Sequence, residues 1–65
     1  MKNYLKVLRA ERDLTQQDLA DAVEVSRQTI NALEKEKFDP SLVLAIKLAR
    51  LFEKEIEDIF IYEKE

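Results

Sequence analysis

Five polar side chains within six consecutive residues have the chemistry to contact the edges of nucleic-acid bases. They are Ser26, Arg27, Gln28, Thr29 and Asn31. Arginine can pair bidentately with guanine, glutamine with adenine, and serine or threonine with either, and each good bidentate pair contributes about 1–3 kcal/mol of discrimination. Arg27 and Gln28 are therefore the first candidates for base contacts, and the other three are secondary candidates. The alternative is that Ser26 only caps a helix and that the rest form a hydrated helix face.

Two helix starts position this segment. Thr15 and Ser26 each precede helix-compatible residues, and each can offer its side-chain oxygen to the unpaired N–H groups of a first helical turn. Asp18 follows Thr15 at capping-box spacing, which also places a negative charge where the helix dipole favours it. The sequence predicts two short helices that start eleven residues apart and are joined by a turn of about three residues.

Apolar residues at helical spacing predict how these two helices pack. One stripe consists of Leu19, Ala20 and Val23, and the other of Val25, Ile30 and Leu33. Ala20 falls where the helices cross, and its small side chain allows the roughly 8–10 Å separation of tightly packed helices.

Residues 14–34 resemble the helix-turn-helix of the Cro/cI-type (Xre-like) transcriptional regulators. The motifs are Leu14-Thr15-Gln16-Gln17-x-Leu19-Ala20 and Val25-Ser26-Arg27-Gln28-Thr29-Ile30-x-x-Leu33-Glu34. A segment similar to that family's fourth helix follows, with Pro40-Ser41-Leu42 and then Ala45, Leu48, Ala49 and Phe52. The resemblance implies an all-α, five-helix, Cro/cI repressor-like fold. Residues 1–65 would form a single DNA-binding domain with its helix-turn-helix at 15–34.

The resemblance also implies roles for residues outside the recognition helix. A helix-one arginine, here Arg9, would form a salt bridge with the glutamate that ends the recognition helix, here Glu34; the alternative is two independent surface charges. At the start of the second helix, Gln16 would present its side chain and backbone N–H to a phosphate, or it would simply be hydrated. The candidates for phosphate contacts are Gln16, Arg12, Lys35 and Lys37. The two lysines serve solubility equally well.

Two glutamates depart from the family pattern. Glu24 and Glu36 stand at turn positions where the family usually has glycine, and the chain contains no glycine at all. Such turns place a residue in the left-handed conformation, which costs a non-glycine residue about 1 kcal/mol. We expect either strained or differently built turns there.

Composition excludes several classes of function. The 65 residues include no Cys and no His, which excludes disulfides, zinc fingers and catalysis by a nucleophile with imidazole. We therefore expect no enzyme activity, no metal and no cofactor. The first residues lack the apolar core of a signal peptide, and no run approaches the roughly 18 apolar residues of a membrane span. The expected location is cytoplasmic, without a membrane partner.

The net charge of −3 argues against a nucleic-acid partner only if its distribution is ignored. Residues 1–52 carry nine Lys and Arg against eight Asp and Glu, whereas residues 53–65 carry two against six. The excess of acid therefore lies in the tail. A local basic patch, together with backbone N–H groups at helix N-termini, is sufficient for phosphate contacts.

Helices are also predicted on both sides of the helix-turn-helix. The first covers residues 4–12, with Leu5 and Leu8 inward and Val7 as a further candidate. Another starts after Pro40, because proline disfavours helix at the preceding residue, and covers residues 41–52. Its inward stripe is predicted to be Leu42, Ala45, Leu48, Ala49 and Phe52. Val43, Leu44, Ile46 and Leu51 add apolar surface beyond that stripe. A helix so apolar is either deeply covered or packed against a second copy.

The tail, residues 56–62, is predicted to begin as a helical turn and to end as a short strand. The small members of the cytolysin-operon repressor type, which this chain resembles, pair such a tail with the N-terminus and dimerise nearby. We therefore expect residues 41–65 to form a dimerisation region. Its candidate interface residues are Leu51, Ile59, Ile61 and Tyr62. For each of them, closure of the core within one subunit is the alternative.

The function predicted from these features is sequence-specific binding of double-stranded DNA by a homodimer, as a transcriptional repressor. Two recognition helices would enter major grooves about 34–36 Å apart on an inverted-repeat operator. The alternative is a protein-interaction role on the same fold, as in antitoxins or bridging factors, with the acidic tail binding an unknown basic partner.

Overall fold

Five helices and a two-stranded antiparallel sheet make up the fold. The computed structural model describes residues 1–63. The elements in chain order are β1 (Lys2–Asn3), α1 (Leu5–Glu11), α2 (Gln16–Val23), α3 (Arg27–Glu34), α4 (Leu42–Phe52), α5 (Ile56–Ile59) and β2 (Phe60–Ile61). The strands pair Lys2 with Ile61 and Asn3 with Phe60. This arrangement confirms the predicted all-α, Cro/cI-like fold with a small terminal strand pair. No helix within residues 1–63 is both long enough and apolar enough to cross a bilayer.

The predicted caps set the starts of the central helices. Thr15 Oγ1 accepts a hydrogen bond from the backbone N–H of Asp18 at 2.9 Å, and Asp18 Oδ2 accepts one from the N–H of Thr15 at 3.0 Å. This is the reciprocal capping box that the sequence predicts. Ser26 and Ser41 cap α3 and α4 through their hydroxyls. Both helices of the helix-turn-helix therefore begin where local side-chain chemistry places them.

Four turns are made by acidic residues in the left-handed conformation. Their φ angles are 55° at Asp13, 62° at Glu24, 61° at Glu36 and 55° at Glu53. The turns at Glu24 and Glu36 thus keep the backbone geometry that glycine favours, although a Cβ disfavours it. Of the two outcomes expected at these positions, the structure shows the left-handed turn, made by a residue with a Cβ.

The core forms one contiguous cluster beneath the helix-turn-helix. Its buried members are Leu5, Leu8, Leu19, Ala20, Val23, Ile30, Leu33, Leu44, Ala45, Leu48, Phe52, Ile59 and Phe60. Ala20 has no exposed surface, as expected for a small residue at the crossing of α2 and α3. Both predicted stripes of the helix-turn-helix contribute to the cluster, with Val25 packed against its edge.

The inward face of α4 differs from the prediction. Leu42, predicted to point inward, is 71% exposed, whereas Leu44 is buried with only 6% exposed. Leu44 lies in register with Leu48 and Phe52 at four-residue spacing, so this row of large side chains enters the core and rotates Leu42 outward. Val7 on α1 is also on the surface, with 55% exposed.

Candidate nucleic-acid interface

The first turn of α3 is fixed by two hydroxyl groups. Ser26 Oγ accepts a hydrogen bond from the backbone N–H of Thr29 at 3.2 Å, and it lies 2.9 Å from Thr29 Oγ1. Two of the three secondary base-contact candidates, Ser26 and Thr29, are therefore hydrogen-bonded to each other at the N-cap. Their local role is to hold the start of the helix.

Arg27 and Gln28 occupy the same turn but have no such partners. Both side chains are exposed, and within residues 1–63 neither one takes part in an intramolecular hydrogen bond or salt bridge. A guanidinium and a primary amide are thus presented side by side at the N-terminal end of α3. These planar groups are the ones that can pair bidentately with base edges.

The inner side of α3 carries a connected polar network. Asn31 Nδ2 donates to Gln16 Oε1 at 3.3 Å, and Gln16 Nε2 donates to Glu34 Oε1 at 3.0 Å. The network therefore links the first residue of α2 to the middle and the end of α3. It holds Asn31, a predicted base contact, and Gln16, a predicted phosphate contact, in fixed positions.

Arg9 closes this network from α1. Its Nε lies 2.8 Å from Glu34 Oε2, its Nη2 lies 3.2 Å from Glu34 Oε1, and its Nη1 donates to the carbonyl of Leu14 at 2.9 Å. The side chains of Arg9 and Glu34 are only 16% and 6% exposed. The hydrogen bond to Glu34 raises the pKa of Arg9 above its ordinary value, because it stabilises the charged guanidinium more than burial disfavours it. The two-pronged pair fixes the orientation of α3 relative to α1.

The N-terminus of α2 offers backbone donors beside this network. The N–H groups of the first helical turn have no carbonyl partner within the helix, and those of Gln16 and Gln17 lie beyond the Thr15 cap. The backbone N–H and the hydroxyl of Thr15 lower the pKa of Asp18, since both bind its ionised form. Asp18 therefore keeps its negative charge within the same turn.

Exposed lysines lie on α1 and in the segment that follows α3. Lys35 and Lys37 follow α3 and are exposed. Lys6 lies on α1 and, with Lys35, lines a depression of about 210 Å³ whose other walls are Arg9, Gln16, Asn31 and Glu34. Lys6 was not among the candidates chosen from the sequence. Its position three residues before Arg9 on one helix is the signal that would have identified it.

Arg12 lies elsewhere, at the end of α4. Its guanidinium donates to the carbonyls of Leu51 at 3.0 Å and Phe52 at 3.2 Å, lies 3.8 Å from Glu53, and stacks 5.6 Å from the centre of the Phe52 ring. These contacts satisfy carbonyls that α4 leaves unpaired at its C-terminus. Arg12 therefore joins α1 to α4, and we omit it from the candidate phosphate contacts.

Of the four candidate interface residues, only one is largely exposed. Tyr62 is 78% exposed, whereas Ile59 has no exposed surface. Ile59 closes the core of its own subunit, which was the alternative expected for it, because α5 turns it under the terminal sheet. Leu51 and Ile61 are half-buried.

Asn3 is a further residue that the sequence did not reveal. Its Nδ2 donates to the carbonyl of Leu33 at 2.8 Å, and its Oδ1 accepts from the N–H of Leu5 at 3.2 Å. It therefore anchors β1 to the last turn of α3. No local pattern signals the contact with Leu33, since Leu33 lies thirty residues from Asn3 along the chain. Within the described part of the chain, no three Asp or Glu side chains come together as metal ligands.

Comparison with known proteins supports the same assignment. A family model described as helix-turn-helix matches residues 5–59. A protein of Methanocaldococcus jannaschii is 64% identical over 97% of this chain and 96% of its own length. Proteins of Archaeoglobus fulgidus and Bacillus subtilis are 51% and 45% identical over the whole chain, and cover 92% and 98% of their own lengths. All three are named as HTH-type transcriptional regulators. The chain belongs to the Cro/cI-type, Xre-like helix-turn-helix family of DNA-binding transcriptional regulators.

Proposed function

We propose that the protein is a dimeric, sequence-specific repressor that binds an inverted-repeat operator in the major groove. The observation that carries this proposal is the contrast among the polar side chains of α3. Ser26, Thr29, Asn31 and Glu34 are all engaged within the protein, whereas Arg27 and Gln28 are exposed without partners among residues 1–63. The side chains left for a ligand are the two that recognise guanine and adenine best.

The N-terminal end of α3 is the part that enters the groove in this proposal. A helix-turn-helix places the first residues of its recognition helix against base edges, while the preceding helix crosses the DNA backbone. The engaged residues hold α3 in place, so Arg27 and Gln28 approach the bases from a rigid support. Ser26, Thr29 and Asn31 are secondary base contacts that would have to exchange their internal bonds for contacts with DNA.

Phosphate contacts come from around the same surface. The backbone N–H and the side chain of Gln16 serve one phosphate, because a helix N-terminus favours an anion. Lys35 and Lys37 lie beyond the end of α3 and serve phosphates on the other side of the groove, and Lys6 joins Lys35 at the depression between α1 and α3. These contacts position the protein without selecting a sequence.

Two copies related by a two-fold axis would place two α3 helices about 34–36 Å apart, one helical turn of DNA. The operator is then an inverted repeat with that spacing between its half-site centres. The repressor role is supported by the family resemblance, and it acts by occupying the operator.

The test is selection of bound duplexes from a random pool with the wild-type protein and with Arg27→Ala and Gln28→Ala. Each substitution should relax the preference at a defined base pair and leave the others unchanged. Arg50→Ala and Gln17→Ala are matched controls, since both residues are exposed and lie outside α3; they should leave the selected sequence intact. Equal affinity for random and selected DNA, or capture of a protein partner without any duplex preference, would contradict the proposal.

A further inference from the structure

The carbonyl oxygen of Leu33, in the last turn of α3, accepts two hydrogen bonds. The backbone N–H of Glu36 donates to it at 3.0 Å, and the side-chain amide of Asn3 donates to it at 2.8 Å. The first bond closes the turn that ends the helix, and the second comes from β1. A carbonyl oxygen has two lone pairs and can accept both bonds. A single oxygen atom therefore connects this turn to the N-terminal strand.

The turn that this carbonyl closes has an unfavourable backbone conformation. Glu36 has a φ of 61°, which its Cβ disfavours. The N–H of Lys37 donates to the carbonyl of Ala32 at 3.1 Å, so the backbone bonds of Glu36 and Lys37 both lead back to the last turn of α3. A donor from another element that fixes the Leu33 carbonyl therefore also supports the turn.

Asn3 approaches this carbonyl from a fixed support. Its Oδ1 accepts a hydrogen bond from the N–H of Leu5 at 3.2 Å, and its Nδ2 also donates to the carbonyl of Met1 at 3.0 Å. In the terminal sheet Asn3 pairs with Phe60, which is only 5% exposed. The side-chain amide thus belongs to a strand that the tail and the core hold in place.

We propose that Asn3 is a positioning residue for DNA binding, which sets the direction of the two lysines that flank Glu36. Lys35 and Lys37 are exposed, and they precede and follow the residue whose N–H shares the Leu33 carbonyl with Asn3. The inference rests on the phosphate contacts of the proposed function, and Asn3 supports them through the turn without touching DNA. Without the Asn3 bond, the turn holds both lysines in place in a smaller fraction of the molecules.

The start of α3 is held independently of Asn3. Ser26 caps the first turn through its hydroxyl. Arg9 and Gln16 donate to the carboxylate of Glu34 at 2.8 and 3.0 Å, which fixes the helix from its inner side. Loss of the Asn3 bond should therefore leave the base-contacting residues in place. It should weaken binding through the phosphate contacts and leave the selected sequence unchanged.

The strength of one hydrogen bond sets the size of the effect. Such a bond shifts an equilibrium by about fivefold, and the apparent affinity falls in proportion to the fraction of molecules competent to bind. Lys35→Ala and Lys37→Ala should each reduce the salt dependence of log K by about 1. Asn3→Ala should leave that slope unchanged, because the complex still contains both phosphate contacts.

The first experiment is a mutant cycle on DNA affinity, followed by fluorescence anisotropy. Asn3→Ala should weaken binding about fivefold in the wild-type background, and by the same factor on selected and random duplexes. It should have no effect in the background of Lys35→Ala and Lys37→Ala, where no lysine has to be placed. Ser41→Ala is the matched control, since it also removes one hydrogen bond from a backbone group, the N–H of Leu44 at 3.1 Å. It should lower the melting temperature and leave the affinity unchanged.

The second experiment asks whether a glycine replaces the support that Asn3 gives. Glycine adopts the left-handed conformation readily, so Glu36→Gly should restore most of the affinity lost in Asn3→Ala. Glu36→Gln removes the same negative charge but keeps the Cβ, and it controls for the electrostatic gain. It should restore less of the affinity than Glu36→Gly does.

Amide hydrogen exchange measured by NMR tests the turn without DNA. In Asn3→Ala the N–H of Glu36 should exchange about fivefold faster, whereas the N–H of Thr29, bonded to the cap at the start of α3, should keep its rate. Asn3→Asp keeps the Oδ1 acceptor for Leu5 and loses the donor to Leu33. It provides the same comparison if the alanine variant does not fold.

Equal affinity losses from Asn3→Ala in both backgrounds, or an unchanged exchange rate at Glu36, would overturn the positioning role. So would a rescue by Glu36→Gln as large as that by Glu36→Gly. If the variant lacking both lysines bound DNA like wild type, the proposed phosphate contacts would be overturned and the positioning role with them. If the coupling appeared on random DNA but no sequence were selected, only the proposed base contacts would be overturned.

Discussion

Arginine and glutamine side chains lie near both ends of α3, but in different environments. At its start, Arg27 and Gln28 are exposed and without partners among the described residues. Near its end, Arg9 and Gln16 donate to the buried carboxylate of Glu34 at 2.8 and 3.0 Å. An arginine and a glutamine are thus free to contact DNA in the proposed complex at one end, and another pair holds the scaffold at the other. The residue type is the same at both ends. What differs is whether the side chain is already hydrogen-bonded within the protein or is exposed and available to a ligand.

The two ends also differ in what a substitution should change. Removing a side chain from the buried network leaves another polar group without its partner, and that cost appears in folding. Removing the side chain of Arg27 or Gln28 breaks no hydrogen bond or salt bridge within residues 1–63, so its effect should appear only when DNA is bound. Measuring stability and DNA preference on the same variants therefore separates the two ends.

The largest effect is expected from Glu34→Ala. The substitution leaves the guanidinium of Arg9, which is only 16% exposed, without its carboxylate partner, and should reduce the free energy of unfolding by about 3 kcal/mol. Urea denaturation followed by circular dichroism measures the change. In the double variant Arg9→Leu and Glu34→Leu, much of this loss should be recovered, because no unpaired charge remains. A loss below about 0.5 kcal/mol would mean that the pair behaves as exposed surface charges.

Two glutamine substitutions compare the ends directly. Gln28→Ala should cost about 1–3 kcal/mol of discrimination at one base pair and leave unfolding unchanged. Gln16→Ala should lower stability by about 1 kcal/mol, because it removes the bonds to Glu34 and Asn31, and should weaken binding to all duplexes alike. Competition binding against single-base variants of the selected site, with parallel melts, gives both quantities. If Gln16→Ala changed base preference instead, the distinction between the ends would be lost.

Substitutions of Ser26 test whether its role as helix cap can be separated from a role in contacting a base. Ser26→Ala should destabilise the protein by about 1 kcal/mol, since the N–H of Thr29 loses its acceptor. Ser26→Asp keeps a capping oxygen and should restore most of the stability. A selected sequence that is the same for wild type and Ser26→Ala would show that the hydroxyl serves the helix. A changed base at one position would show that it also contacts DNA.

The smallest effect is expected from a substitution at Asp18, which is exposed but hydrogen-bonded to Thr15. Its pKa is lowered in the folded protein by the backbone N–H and the hydroxyl of Thr15. Its contribution to stability is therefore present above the unfolded carboxyl pKa of about 3.9 and is lost as the pH falls through the lowered folded value. Asp18→Asn should melt at a slightly lower temperature than wild type at pH 7. The difference in melting temperature should shrink as the pH falls through the lowered pKa of Asp18. A difference independent of pH would assign the effect to hydrogen bonding alone.

Local signals in the sequence predicted the scaffold well. The caps at Thr15 and Ser26, together with the stripes through Leu19 and Ile30, depend only on residues within one or two helical turns. Such features form wherever the chain has the right spacing. The left-handed turn at Glu24 is one of the two outcomes expected from the family pattern, which usually has glycine at that position.

Residues whose environment depends on distant contacts were predicted poorly. Leu42 was assigned inward because it fits a stripe, but the phase of α4 is set by how Leu44, Leu48 and Phe52 fill the space above α2. Arg12 has the composition of a phosphate contact, yet its bonds are to carbonyls 39 and 40 residues away. Neither outcome follows from a local pattern, since each requires the position of another helix.

The acidic residues at the four left-handed turns also shape the field around the protein. Asp13, Glu24, Glu36 and Glu53 lie within two residues of the C-termini of α1 to α4, where the helix dipole is already negative. Glu24 and Glu53 are paired with Lys47 at 3.0 Å and Arg12 at 3.8 Å, and Glu36 lies between two lysines. Asp13 is therefore the corner where the dipole and a carboxylate add their repulsion of a polyanion. The N-terminus of α3 has no acidic side chain in its first turn and presents the opposite sign, so we expect an approaching duplex to be attracted toward it.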